Sequence, residues 1–596
     1  MKEVHRRRLA LVAAGLLLTL FLAEGVAFIS ANSQTSDEAV HLTAGYSYLA
    51  RHDFRLNPEH PPFIKEISAL PVYLFYRIPF EPDPNLWKRA EEWRLGRNFL
   101  YRSSIPGDRI LALGRLPNLL LGGLLVGLTG WWAYRLWGRS AALVALALAA
   151  LEPNFIAHAS LVTTDLGAAL FTFLAVYLLW EYAAAPSWPL ILGVGAAAGL
   201  ALASKYSTVI LGVILAAVAL VHILLGGSLP LPREAGRKLR GGFSPRIVQA
   251  VPPMLAAGLV VLLVLPATYF FQGISTWWTG LERVLTHQET GHLAFFLGKY
   301  SLEGWWSYFP VAFLIKTPVG SLLLILASLL PLGRGRPLGK REAAFLLVPV
   351  AILFAAAMKG RINIGLRHIL PVYPFLFVAA SRVATFRFRR PAVRGMFLGV
   401  PLAATALSSL LVAPHYLAYF NELVGGPANG YRYLSDSNID WGQDLSGVKA
   451  YMDREGLPMI YLSYFGNTPP GVYGIRYQYA PAFGHLERPP EEVLPPDLRR
   501  EILAISVNSL QAVHFDDKNL YRWLYARKPV EKIGYSIYVY DLTGDADAHL
   551  RLAEVYLKVG PRALALPELR RVLALDPGNA EAARLMASLQ QRQRPD

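Results

Sequence analysis

Two adjacent carboxylates, Asp37 and Glu38, follow directly on the first long apolar run of this sequence. That run, residues 9 to 30, is long enough to cross a bilayer, which takes about 20 residues, so it delivers the pair to a membrane surface. A carboxylate placed there can serve as a general base. A further acid, Asp165, opens a later apolar run on what charge counting makes the same face. It could cap the exposed amides of that helix or act as a second active-site acid. Lys205 stands isolated between two apolar runs at that face, and Lys359, Arg361, Arg367 and His368 crowd a ten-residue stretch without an acid. Cations beside hydrocarbon are costly unless paired. A phosphate would pair them, arginine offering two-point geometry; snorkelling to a lipid headgroup is the plainer alternative.

A second stretch within reach of the same surface reads Glu59-His60-Pro61-Pro62, with Lys65 just beyond. Its prolines fix the backbone and remove two amide donors, giving a stiff bend. His60 could hydrogen-bond a carboxylate or phosphate, or be a structural loop residue, with Glu59 and Lys65 as loop support. The segment 271 to 306 carries His287, Glu289, His292, Trp305 and Trp306. His287, Glu289 and His292 could bind a divalent metal, while the aromatics form an interfacial belt or pack against a lipid chain and sugar. Further on, Asp436 to Asp444 has oxygen ligands at alternate positions, but Trp441 and Gly447 occupy the glycine and closing-glutamate places of an EF-hand loop, which excludes calcium by that motif. Asp440, Trp441 and Asp444 then read as an acidic, aromatic patch for acceptor or sugar.

The elements that must position these residues are membrane helices. With 54% hydrophobic residues in 596 and a mean hydropathy of +0.34, the chain is too apolar for an ordinary soluble enzyme. About eleven spans are expected, at roughly 9 to 30, 111 to 134, 140 to 153, 165 to 183, 188 to 203, 206 to 226, 249 to 270, 307 to 331, 342 to 358, 366 to 381 and 395 to 413. The net charge of +16 falls in short basic clusters between them. These include Arg6 to Arg8, Arg135 and Arg139, Arg237 to Arg246, Arg334 to Arg341 and Arg382 to Arg394. They alternate as the positive-inside rule requires, with the N-terminus cytoplasmic and the C-terminus outside; nucleic acid is not the expected partner. The first run exceeds a signal-peptide core and lacks a clear cleavage site, so it reads as an uncleaved span. No cysteine is present, which excludes disulfides, zinc–thiolate sites and cysteine nucleophiles.

The membrane domain spans 1–413, and its first outer loop, 31–110, mixes Trp87, Trp93, Glu91, Arg94 and Arg97, as interfacial helices or a solvated loop would. An outer α/β domain follows over 414–545, with strand-like stretches at Met459 to Phe465, Glu501 to Val507 and Tyr535 to Tyr540. Residues 546–596 carry Leu552, Ala553, Tyr556, Gly560, Ala565 and Pro577 in the pattern of one tetratricopeptide-like unit. One such unit cannot form a solenoid, so it caps the α/β domain or binds a partner.

An Asp-Glu pair after the first span, a His-Pro-Pro loop, many further spans and an outer C-terminal domain resemble the polyprenyl-phosphate-dependent GT-C glycosyltransferases, in particular the protein O-mannosyltransferases and the aminoarabinose transferases of lipid A. The resemblance covers about residues 1 to 445 in organisation, and Asp-Trp-Gly-Gln-Asp is similar to a segment of some bacterial members. It implies a GT-C fold and an inverting transfer of a sugar from a polyprenyl-phosphate carrier to a protein, lipid or glycan acceptor. Asp37 would be the base, with Glu38 orienting the acceptor or facing away. Lys205, Lys359, Arg361, Arg367 and His368 would hold the donor phosphate. His60 departs from the aminoarabinose-transferase pattern, which leaves sugar and acceptor open. A transporter or flippase of a lipid-linked precursor is the competing class, although transporters place their binding groups near the midplane. A scaffold would explain the tail alone.

Overall fold

The computed structural model of the protein describes residues 2–234, 243–329, 337–483 and 492–592. Arg237, Lys238, Arg240, Arg334 and Arg336 of the basic clusters lie outside the described residues. The chain divides into two compact units. The first comprises residues 1–30, 37–292 and 301–426; the second comprises 31–36, 293–300 and 427–596.

The first unit is helical: α1 Lys2–Ala31, α2 Glu38–Arg51, α3 Phe63–Phe75, α4 Pro84–Lys88, α5 Glu92–Tyr101, α6 Gly107–Trp137, α7 Arg139–Ala150, α8 Pro153–Ala159, α9 Asp165–Ala184, α10 Trp188–Leu202, α11 Ile210–Leu224, α12 Phe243–Ala267, α13 Ile274–Thr290, α14 Tyr308–Lys316, α15 Val319–Leu329, α16 Lys340–Lys359, α17 Val372–Ser381 and α18 Pro391–Val412. Among the described residues seven helices are long and apolar enough to cross a membrane, or nine if each of two bent pairs counts as one span. The protein is a multi-span membrane protein with fewer unbroken spans than the eleven expected. The difference has a local cause. Pro153 opens α8 and Pro318 lies in the break before α15, and the pairs α7/α8 and α14/α15 bend by 63° and 114°, because proline supplies no amide and restricts the residue before it. The stretches read as spans at 188 to 203 and 366 to 381 are shorter apolar helices.

Burial sorts these helices. The apolar window of α9 is 83% buried and that of α1 only 17%, so α9 forms the centre of the unit and α1 presents most of its side chains outward, as a lipid-facing helix does. In the 31–110 stretch, α2 departs from the interfacial expectation. Glu38, His41, Thr43 and Ser47 are buried along it together with its apolar residues, and Glu38, His41 and Ser47 find hydrogen-bond partners within the unit. Gly45 brings α2 close to α3: a Cβ there would lie 2.0 Å from the Lys65 carbonyl oxygen.

The second unit contains a hairpin, β1 Ala294–Phe296 with β2 Lys299–Ser301, and a five-stranded sheet. The sheet strands are β3 Ile460–Ser463, β4 Tyr477–Tyr479, β5 Ile502–Ser506, β6 Glu531–Ile533 and β7 Ile537–Asp541, in the order β4-β3-β5-β7-β6. The pairs β3/β4 and β3/β5 are parallel; β5/β7 and β6/β7 are antiparallel. Helix α19 Leu445–Glu455 covers one face through Leu445 and Val448, which join Ile460, Ile502 and Val539 in one core. Then come the short α20 Val507–Leu510 and three tail helices, α21 Ala546–Val559, α22 Ala565–Leu575 and α23 Ala580–Arg592.

Candidate active site

Asp37 is the N-cap residue of α2, and its carbonyl accepts the N–H of His41 at 3.0 Å. Neighbours on a helix do not share a face, so Asp37 and Glu38 part company. Glu38 is fully buried and takes a two-point ion pair from Arg115 of α6, at 2.8 Å from Nε and 2.6 Å from Nη2. Its Oε1 also accepts the Val162 N–H at 2.9 Å. The segment 160–164 is held at two more points. Asn118 donates to the Leu161 carbonyl at 2.9 Å, and His41 Nδ1 lies 2.8 Å from the Val162 carbonyl, a contact in which the ring nitrogen must be the donor.

That segment delivers Asp165 as the first residue of α9. Asp165 makes no capping bond; the cap position falls to Thr164, whose side chain makes none either. This corrects the capping alternative. Lys205 donates to Asp165 Oδ1. Arg367 Nη1 lies 3.6 Å from Asp165 Oδ2 and 3.5 Å from Asp37 Oδ2. One guanidinium thus stands between two carboxylates, and the two cations balance the two acids. The acids differ in access, the Asp37 side chain being 24% exposed and that of Asp165 1%.

A cavity of about 190 Å³ opens beside this group. Asp165, Lys205, Arg367, His368 and Gln288 form its polar side; Ile210, Phe309, Leu353, Ala356 and Ala357 form its apolar side. Burial, with Lys205 and Arg367 adding to it, holds His368 well below the usual imidazole range. His368 therefore meets a ligand as a neutral ring, not as the fourth cation of its segment. Gly360 lines the cavity between Lys359 and Arg361, both exposed, and Arg361 donates to the Glu289 carbonyl at 2.8 Å.

The Glu59-His60-Pro61-Pro62 turn is tied down by backbone contacts. Lys65 Nζ, buried, donates to the carbonyls of Asn57 at 2.8 Å and His60 at 2.6 Å and to the Tyr48 hydroxyl at 2.8 Å. Tyr206 donates to the Pro58 carbonyl at 3.1 Å. Gly280 of α13 closes over this contact, where a Cβ would come 2.0 Å from the Pro58 oxygen. Burial pushes Lys65 down to about 7. The His60 ring meets His41 edge-on at 4.9 Å, and Glu59 pairs with Arg283 at 3.2 Å.

His287 and His292 approach to 3.4 Å, and among the described residues no group of three or more metal-type ligands gathers. In the second unit, Asp440, Trp441 and Asp444 are buried, which corrects the expectation of a contact patch. Asp440 accepts the N–H groups of Gly442 at 3.3 Å and Asn508 at 3.2 Å, and burial pushes its carboxyl up to about 8. Asp444 accepts from Ser536 at 2.6 Å. Polar residue types alone do not separate an exposed patch from a buried turn network. Sequence reasoning also missed Arg115, His41 and Asn118. Arg115 left a usable signal: an arginine inside an apolar span requires a buried acid.

Residues 15–275 match the family model described as dolichyl-phosphate-mannose-protein mannosyltransferase. No curated protein matches by sequence. Among solved structures, ArnT from Cupriavidus metallidurans bound to undecaprenyl phosphate is similar at 13% identity and a TM-score of 0.48, over 89% of this chain and 97% of that one. Its apo form gives 12% and 0.47, over 90% and 98%. The oligosaccharyltransferase of Archaeoglobus fulgidus gives 12% and 0.41, over 78% and 64%.

Proposed function

We propose that the chain is a glycosyltransferase of the GT-C class, a reading supported by the family match over residues 15–275, and that it carries out an inverting transfer from a polyprenyl-phosphate sugar to an acceptor nucleophile at the outer membrane face, with Asp37 as general base. The observation that carries this reading is Arg367 standing between Asp37 and Asp165 at 3.5 and 3.6 Å. Such a transfer needs a base for the acceptor proton and fixed positive charge for the departing phosphate. Asp37 is the more exposed acid and can meet an acceptor. Asp165, buried and paired with Lys205 and Arg367, holds the cations in place.

Lys205 and Arg367 receive the phosphate, His368 offers a neutral hydrogen bond, and Lys359 and Arg361 add charge at the rim. The apolar side of the cavity suits the lipid chain that the family description implies, with the basic segments inside and the second unit outside. Glu38 positions the Asp165 segment; Glu59, His60 and Lys65 shape the neighbouring turn. Sugar and acceptor, whether protein, lipid or glycan, are left to experiment. Membranes supplied with radiolabelled polyprenyl-phosphate sugars test the assignment. Asp37→Asn at matched expression should lose transfer by roughly 10²–10⁴-fold, the contribution of a general base, while still binding the donor. Undiminished transfer overturns it.

A further inference from the structure

Several basic residues of the first unit find partners within it. Arg135 pairs with Glu181 and Arg139 with Glu3, at 3.0 and 2.6 Å, and Arg341 donates to the Trp180 carbonyl at 2.5 Å. The segment joining α17 to α18 differs. It places Arg382, Arg387, Arg389, Arg390 and Arg394 within residues 382–394, and no acid occurs in the sequence between Glu342 and Glu422. Helices α7 and α15, which pack against residues 382–385, contain no acid either. Among the described residues no carboxylate pairs with any of the five arginines.

The segment is built, not loose. The Phe397 ring lies 5.0 Å from that of Phe388 and 6.1 Å from that of Phe386. The Arg382 guanidinium stands 5.2 Å over the Phe386 ring, and Arg394 donates to the Ala384 carbonyl at 2.9 Å. Arg387, Arg389 and Arg390 are exposed beside this frame, while Arg382 Nε is buried with no hydrogen-bond partner among the described residues. Arg390 is the N-cap residue of α18 and makes no capping bond, so an anion held there also meets the positive end of a helix. Beyond the arginines, Val393, Met396 and Val400 follow at helical spacing on α18 and are 46%, 67% and 63% exposed, as side chains against lipid are.

We propose that this segment binds an anionic phospholipid, with the headgroup phosphate on Arg387, Arg389 and Arg390 and the acyl chains along Val393, Met396 and Val400. Cations at the hydrocarbon edge are costly unless paired, and a cluster of about four to eight of them directly beside a membrane helix suits an anionic headgroup. Free phosphate answers the charge but leaves the apolar face of α18 uncovered; a phospholipid answers both. The site lies at the opposite end of α17 from Arg367, apart from the cations assigned to the sugar donor.

The test uses the purified full-length protein in neutral detergent, with phosphatidylglycerol and phosphatidylcholine supplied in equal amounts and the retained lipid counted by native mass spectrometry. Wild type should prefer phosphatidylglycerol, less so at high salt. Arg387→Gln, Arg389→Gln and Arg390→Gln combined should weaken phosphatidylglycerol binding by about 10²-fold, which is about fivefold for each arginine. Arg387→Lys, Arg389→Lys and Arg390→Lys combined should keep most of it. Inorganic phosphate in place of the lipid should not displace phosphatidylglycerol. Equal retention of the two lipids overturns the proposal, and so does an unchanged preference in the glutamine variant. Full displacement by inorganic phosphate overturns the lipid assignment in favour of a free-anion site. Should the triple glutamine variant not fold, Arg389→Gln alone should cost about fivefold, and no loss there overturns the proposal equally.

Discussion

Glu38 Oε1 accepts the Val162 backbone N–H at 2.9 Å across 124 positions of sequence, three residues ahead of Asp165. The neighbour of Asp37 thus sets the segment that presents Asp165, and Arg115 supplies the counter-charge that lets Glu38 do so while buried. Removing one member of a buried pair leaves the other uncompensated, at about 3–5 kcal/mol. Glu38→Ala should lose about that much stability and most of its transfer rate. Glu38→Gln keeps an acceptor for Val162 and should lose less, about 1–3 kcal/mol. Thermal unfolding in detergent, with transfer per folded molecule, checks both; a wild-type melting point in Glu38→Ala would remove Glu38 from this role.

Much of the scaffold was open to reading, and the site only in pieces. Length and hydropathy suffice to find an apolar span, so all seven long helices fall where expected. The breaks before Pro153 and Pro318 were equally present as residues, but a proline signals interruption without saying by what angle the chain turns. Asp37, Asp165, Lys205 and Arg367 stood out because charge beside a span is conspicuous. Their pairing did not, since Asp37 and Arg367 are 330 residues apart and no helical or strand period joins them. Asp440 and Asp444 misled for the opposite reason: an acid usually signals surface, and these two are buried because backbone amides and a serine hydroxyl satisfy them.

The cations divide by depth. Arg361 and Lys359 are exposed, so each contributes weakly and through a screened field. Arg361→Ala and Lys359→Ala should each raise the KM for the lipid donor by roughly 2–5-fold at low salt, with kcat little changed and the effect shrinking at high salt. Arg367→Ala should lower kcat itself by about 10²-fold or more, since under the proposed reaction it removes charge from where the phosphate would depart. Steady-state kinetics at two ionic strengths distinguishes the groups. Equal kcat losses at all three positions would contradict this division.

Lys65 satisfies two carbonyls of the 57–60 turn and the Tyr48 hydroxyl from one ammonium. Lys65→Met fills the same space and leaves those acceptors without this donor, about 1–3 kcal/mol for each buried group. The variant should melt earlier and become more sensitive to proteolysis at the turn. Lys65→Arg should rescue poorly, since a planar fork cannot converge on three oxygens as an ammonium does. Wild-type melting and proteolysis in Lys65→Met would show that the turn is held by its prolines alone.

The last prediction concerns how α21 and α22 are fastened to the sheet. His549 of α21 is buried, with Nδ1 2.8 Å from Glu568 Oε2 and Nε2 3.0 Å from Glu501 Oε2. Arg571 reaches Glu501 as well, and the Tyr461 hydroxyl of β3 donates to Glu568 at 3.0 Å. Burial disfavours the charged imidazole, but the hydrogen bonds and charges of the two glutamates outweigh it and raise His549 to about 9 from 6.5. Between those values the folded chain holds a proton that the unfolded chain has released, so stability falls as pH rises. The contribution is complete below pH 6.5 and gone above about 9, amounting to at most about 3 kcal/mol. His549→Gln should lower the melting temperature at pH 6, show a flatter profile through the window, and meet the wild-type curve near pH 9. Melting curves of both proteins at pH 6, 7.5 and 9 decide it: parallel profiles would mean that the tail is secured by apolar packing and the Arg571–Glu501 pair, with no part played by the histidine's proton.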